Sequence, residues 1–154
     1  MTIVKWLLAL AVGGFLLAFG IMKFAGMAFI FPYIEYKAGA AGLPMADLAW
    51  PLGNYAVGAL EVLAGALVIL PMTRRLGAPL AVLPLFGAVL AHLSPYLGTT
   101  TPLDFASPKP LEALAAGGGF VRENFSAETG PMLFMMASAM LVLALINLFV
   151  QRRG

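Results

Sequence analysis

Apolar residues dominate the chain in four long runs, broken by three connections that hold most of the charge. The runs cover residues 4–31, 52–71, 76–94 and 131–151. The second is the most regular. From Leu52 to Leu70 it reads LGNYAVGALEVLAGALVIL, nineteen residues with one ionisable side chain, Glu61. At about 1.5 Å per residue it spans roughly 28 Å, close to the ~30 Å thickness of bilayer hydrocarbon. The pattern predicts four transmembrane helices: an all-α integral membrane bundle forming a single domain over residues 1–154.

The first run carries Lys5 near its start and so has the outline of a signal peptide. It continues apolar through Phe31 with no small-x-small cleavage site, and is read as a retained span. Trp6 marks one interface, and Tyr33 and Tyr36 the other. Lys23 then lies about 12 Å below Phe31 on the helix rise. Residues 32–51 carry Pro32, Pro44, Pro51, Glu35 and Asp47, a composition that favours a folded loop over a further span. The turn Met72–Arg75 is short and basic. Pro79 lies near the start of the third span, and Pro84 in its interior, where a missing backbone donor predicts a kink. The connection 94–130 contains LEALAA, bracketed by Pro110 and Gly117, and then FVRENF, two expected short helices on the outer surface or capping the bundle. The fourth span begins with Thr129 in cap position and Pro131 in its first turn, and stops at Gln151, Arg152 and Arg153.

Composition fixes the class. Hydrophobic residues make up 62% of the chain and charged residues 10%, against about 25% charged in soluble domains; the mean hydropathy is +0.96. The partner this demands is a lipid bilayer. The net charge of +2 is spread thinly, which excludes a nucleic-acid footprint. There is no cysteine, so thiol relays, zinc thiolate sites and iron–sulfur clusters are excluded. With His92 the only histidine, bis-histidine haem within one chain is excluded as well. No covalently bound cofactor and no metal are expected.

Lys5, Arg74, Arg75, Arg152 and Arg153 gather at one set of span ends. Lys37, Lys109 and Arg122 lie at the other, with the six acids other than Glu61. Basic residues favour the cytoplasm, so both termini are expected there, with the two longer connections outside, in a bacterial inner membrane.

With that orientation Lys23, Glu61 and His92 all fall in the outward half. Small residues predict that they share a lumen: Gly13 and Gly20 align with Lys23, Gly58 and Gly65 flank Glu61, and Gly77, Ala81, Pro84 and Ala88 line up with His92. A charged carboxylate at the depth of Glu61 needs a partner or a proton. Lys23 and Glu61 at similar depth form either a register-fixing clip or part of a ligand or proton site. Lys23 could instead snorkel outward and leave Glu61 protonated. His92, near the interface, is either a ligand group or a headgroup contact. Met132, Met136 and Met140 form a stripe expected to pack rather than to bind copper. Asp104, Glu112, Glu123 and Glu128 read as a solvated loop surface.

Over residues 15–95 the chain resembles the DoxX-like membrane proteins. FGIMKFAG carries their Gly-x-x-Lys pattern at Gly20 and Lys23, and GALE their Gly-x-x-Glu at Gly58 and Glu61. A basic turn at Arg74 and Arg75 and an Ala91-His92 ending to the third span follow in order. The resemblance implies a four-helix inner-membrane protein tied to quinone-linked redox chemistry. Members include the membrane subunit of a thiosulfate:quinone oxidoreductase and proteins of oxidative-stress defence. Two expectations follow. In the first, the outward half binds a quinone or other small apolar ligand, with Lys23 or His92 donating to a carbonyl and Glu61 exchanging a proton. In the second, the protein is an accessory subunit of a larger membrane complex or a homo-oligomer, and its polar residues only hold the bundle together. Solute transport is weakened by the lack of an internal repeat.

Overall fold

The computed structural model describes residues 2–44, 46–104 and 125–152. Among them are five helices: α1 (Thr2–Phe24), α2 (Ile30–Ala40), α3 (Asn54–Ile69), α4 (Arg74–Leu93) and α5 (Met132–Arg152). Four stretches are long and apolar enough to cross a bilayer: α1, α4, α5, and Ala46–Ile69, which contains α3. The chain is a multi-pass membrane protein built as a helical bundle.

Spatial order round the bundle is α1, α3, α4, α5 and back to α1, with little contact between α1 and α4 across the diagonal. The helices alternate in direction. Gly13 meets Gly65 and Gly20 meets Gly58, so α1 and α3 run antiparallel at close range. Gln151 Nε2 lies 3.5 Å from the Lys5 carbonyl, which brings the first and last helix ends to the same face of the membrane.

The core is made of small and medium side chains: Ala9, Val12 and Leu16 of α1, Ala64 and Val68 of α3, Ala81 and Leu85 of α4, and Ala144 of α5. Large apolar residues such as Leu63, Leu83, Phe86, Val142 and Phe149 point outward. That distribution suits lipid, where burying Leu gains nothing and close backbone approach supplies the attraction. A Cβ added at Gly65 would meet the Gly13 carbonyl at 2.7 Å, and one added at Gly20 would meet the Gly58 carbonyl at 2.9 Å. Glycine at these positions is what lets α1 and α3 touch.

Three expectations need correction. The first span does not run through Phe31: α1 ends at Phe24. Gly26 adopts φ 73°, and the Met27 amide donates back to the Met22 carbonyl at 2.9 Å. That is a Schellman ending, in which glycine supplies the left-handed residue just past the helix. Secondly, the connection read as a loop contains α2, eleven residues long and too short to span. Thirdly, Thr129 does not head the fourth helix. It lies in a two-residue strand, β2 (Thr129–Gly130), paired antiparallel with β1 (Thr101–Pro102), and the Pro131 carbonyl accepts from the Met135 amide instead. This pairing staples the base of the long connection. The short helices expected at LEALAA and FVRENF lie outside the described residues, apart from Phe125. The third-span helix α4 continues unbroken through Pro79 and Pro84.

Candidate functional site

Lys23 and Glu61 come together. Lys23 Nζ lies 2.6 Å from Glu61 Oε2, with side-chain exposures of 5% and 11%. Both elements explain the contact. Lys23 is in the last turn of α1, and a Cβ at Gly58 would sit 3.1 Å from its Cβ, so the lysine backbone is level with Gly58. Glu61 is three residues further in along α3, ~4.5 Å on the helix rise. The side chain therefore runs inward along the groove left by Gly58. Two aromatic rings flank the ammonium: Phe31 at the start of α2 at 5.9 Å and Phe19 of α1 at 6.0 Å. Asn54, which the sequence reading did not single out, donates from Nδ2 to the Lys23 carbonyl at 3.1 Å and is fully buried. It shares a helical face with Gly58 and Glu61, and that spacing was the available signal.

His92 goes elsewhere. Its Nδ1 lies 3.0 Å from the Gly98 carbonyl and its ring meets Phe134 edge-on at 5.9 Å. Since a carbonyl only accepts, Nδ1 carries the proton. Ser94 reinforces the same turn, donating to the Ala91 carbonyl at 2.6 Å and accepting from the Leu97 amide. His92 thus fastens the end of α4 to the loop that follows. Of the methionine stripe, Met140 packs against the core and Met132 is exposed.

At the opposite end Arg74 is buried and structural. Its Nε and Nη2 donate at 2.9 Å to the Val68 and Ile69 carbonyls, closing the end of α3, and its guanidinium lies 4.2 Å from the Trp6 ring centroid. On α5 Gln151 Nε2 donates to Asn147 Oδ1 at 3.1 Å.

Two cavities lie at the end of the molecule where α2 and the strands sit; the lining of the larger falls outside the four spans, and the smaller reaches Ala91 of α4. Neither is lined by Lys23, Glu61 or His92. The larger, about 680 Å³ and half open, is bounded by Tyr33, Tyr36, Lys37 and Ala40 of α2, by Pro102, and by Phe125, Ser126, Ala127 and Thr129. Its size suits one small molecule. Tyr33, Tyr36, Lys37 and Ala40 follow i, i+3, i+4, i+7 spacing, so a single face of α2 forms the wall. Phe125 meets Tyr33 edge-on at 5.2 Å and Tyr36 at 5.9 Å. Burial, and secondarily the neighbouring Tyr36, hold the Tyr33 hydroxyl above its usual value, so it stays a neutral donor. The smaller cavity, about 150 Å³, is bounded by Ile34, Lys37, Leu43, Ala91, Tyr96 and Leu97 among others, so Lys37 borders both. Glu35 does not line either. Its Oε2 is buried without a partner, and burial, then the Asp47 charge, push its pKa up.

No protein-family model matches the chain, and no curated protein or solved structure does. The likeness to DoxX-like proteins rests on the motif order alone.

Proposed function

We propose that this is a DoxX-like bacterial inner-membrane protein that takes a quinone or another small apolar ring ligand at its outward end, as a membrane subunit linked to redox or oxidative-stress metabolism. The observation that carries the reading is the aromatic cavity on α2, with the hydroxyls of Tyr33 and Tyr36 and the Lys37 ammonium as donors. A quinone carbonyl accepts such donors, and its ring packs on Tyr33, Tyr36 and Phe125. The Lys23–Glu61 pair then acts beneath the site as the clip that fixes α1 on α3, and His92 as the fastening of the loop after α4. Any electron transfer needs a redox partner subunit, which the larger membrane complex would supply. Organic extraction of the purified protein tests the reading. A quinone recovered near one per chain from the wild type, and lost from the Tyr33→Ala/Tyr36→Ala variant, is expected; an empty extract from protein purified in mild detergent refutes it.

The orientation follows from charge. The end that holds Lys5, Arg74, Arg75 and Arg152 faces the cytoplasm, and α2 with the strands faces the periplasm. A cysteine at Ser126 should react with an impermeant reagent added to cells, and one at Arg152 should not; the opposite result inverts the topology.

A second reading has its own support. The Lys23–Glu61 contact is direct and enclosed, with Gly20 and Gly58 in close helix contact around it. Such a pair needs no ligand to satisfy it. That favours an accessory subunit docked on other membrane proteins, and an empty extract together with a stoichiometric co-purifying partner would establish it.

A further inference from the structure

The α2 cavity has a charge character that goes beyond its shape. Its polar groups among the described residues are the hydroxyls of Tyr33 and Tyr36, the ammonium of Lys37, and the Ser126 and Thr129 side chains, with no carboxylate in that set. Ser126 Oγ is already engaged, accepting from the Glu128 amide at 3.1 Å. Among the described residues Lys37 has no ion pair, the only salt bridge being Lys23–Glu61. The nearest acid in sequence, Glu35, is two positions away on α2. Residues two apart do not face each other on a helix, and Glu35 Oε2 is buried without a partner. Among the described residues Lys37 therefore presents a positive charge without an ion-pair partner between two cavities, one of them walled by three aromatic rings. The site lies outside the spans, where a charged ligand escapes the penalty of the bilayer centre.

Resting on the ligand site proposed above, we infer that this cavity selects a ring ligand bearing a negative charge, an aryl carboxylate or an acidic hydroxyquinone, with its ring on Tyr33, Tyr36 and Phe125 and its anionic oxygen at Lys37. A neutral ring ligand fills the same walls but leaves the ammonium without its counter-charge. The anion gains a charge-assisted hydrogen bond, which is about twice as strong as a neutral one.

The test uses the full chain in phosphatidylcholine nanodiscs, with protein-free discs as the blank, and equilibrium dialysis at neutral pH. The probes are 2-naphthoate and its methyl ester, which share a ring and differ in charge. Saturable binding of naphthoate at least about fivefold tighter than the ester is expected, the worth of one charge-assisted contact in a half-open site. Lys37→Gln should bring the acid down to the affinity of the ester, and Lys37→Arg should keep the preference. The inference is overturned if the wild type binds ester as tightly as acid, or if Lys37→Gln retains the preference. In those cases saturable binding that Tyr36→Ala abolishes would leave the ligand site itself standing. If neither probe binds saturably, site and charge selectivity fall together. The wild-type comparison of acid with ester decides the matter even if a variant folds poorly.

Discussion

Separating Lys23 from Glu61 should cost more on one side than on the other. In Lys23→Met the carboxylate of Glu61 is left seven residues inside α3, ~10 Å from its start, on a side chain too short to reach the interface. Breaking a buried pair costs about 3–5 kcal/mol, and the low end applies because a chain unfolded within the membrane also finds partners. In Glu61→Gln the lysine remains one residue from the end of α1 and can turn its ammonium outward, so about 1–2 kcal/mol is expected. The double variant strands neither charge and should fall within about 1 kcal/mol of the wild type. The two single losses then exceed the double loss by about 3–5 kcal/mol, the signature of a coupled pair. Thermal unfolding in a fixed detergent is the assay. At about 2–4 °C per kcal/mol for a chain of this size, Lys23→Met should lower the midpoint by roughly 6–12 °C and the double variant should regain most of it. Losses that simply add, or an equal loss from the two single variants, would refute the reasoning.

Glycine substitutions should divide by contact. Gly65→Ala and Gly20→Ala place a Cβ at 2.7 Å from the Gly13 carbonyl and from Val62 Cγ2 respectively, and should each cost about 1–3 kcal/mol as overpacking, whereas Gly14→Ala and Gly87→Ala meet nothing within 4 Å and should be neutral in the same melts. Glu35 should give a pH signature. Burial and Asp47 raise its folded pKa above the unfolded value of 4.5, so the fold prefers the protonated carboxyl; its preference is present below 4.5 and is lost as pH rises through the folded value. Glu35→Gln, which cannot ionise, should therefore match the wild type in melts near pH 4.5 and exceed it slightly at neutral pH; a variant less stable than the wild type at neutral pH would contradict this.

The four spans were legible because lipid imposes length and apolarity on every helix, and no tertiary contact can override that demand. The meeting of Lys23 and Glu61 was legible for a related reason: two opposite charges in apolar runs, each beside glycines at helical spacing, have few other ways to be satisfied. Local turn chemistry was harder. Gly26 ends α1 through a left-handed residue, but in KFAGMAFIF the apolar run masks the stop. Once α1 ends, the following residues form α2, and Tyr33, Tyr36 and Lys37 become one face of a cavity wall. Their i, i+3, i+4 spacing was present in the chain. It carried no meaning until the opposing wall, Pro102, Phe125, Ser126, Ala127 and Thr129, was brought across by a strand pairing of only two residues each, which has no sequence signature of its own. His92 was placed at the correct end of its helix, but its partner is a backbone carbonyl six residues on, and backbone partners leave no trace in side-chain patterns.

Clip and site are separated most directly by asking which residues the bound ligand depends on. Two variants should be purified alongside the wild type in the same mild detergent and extracted into organic solvent: the charge-free Lys23→Met/Glu61→Gln double, and Tyr33→Ala/Tyr36→Ala. The account predicts that the charge-free double retains the wild-type complement of quinone or ring ligand while the tyrosine double loses it. Loss from a stably folded Lys23→Met/Glu61→Gln protein, with retention in the tyrosine variant, would contradict it and move the site to the buried pair.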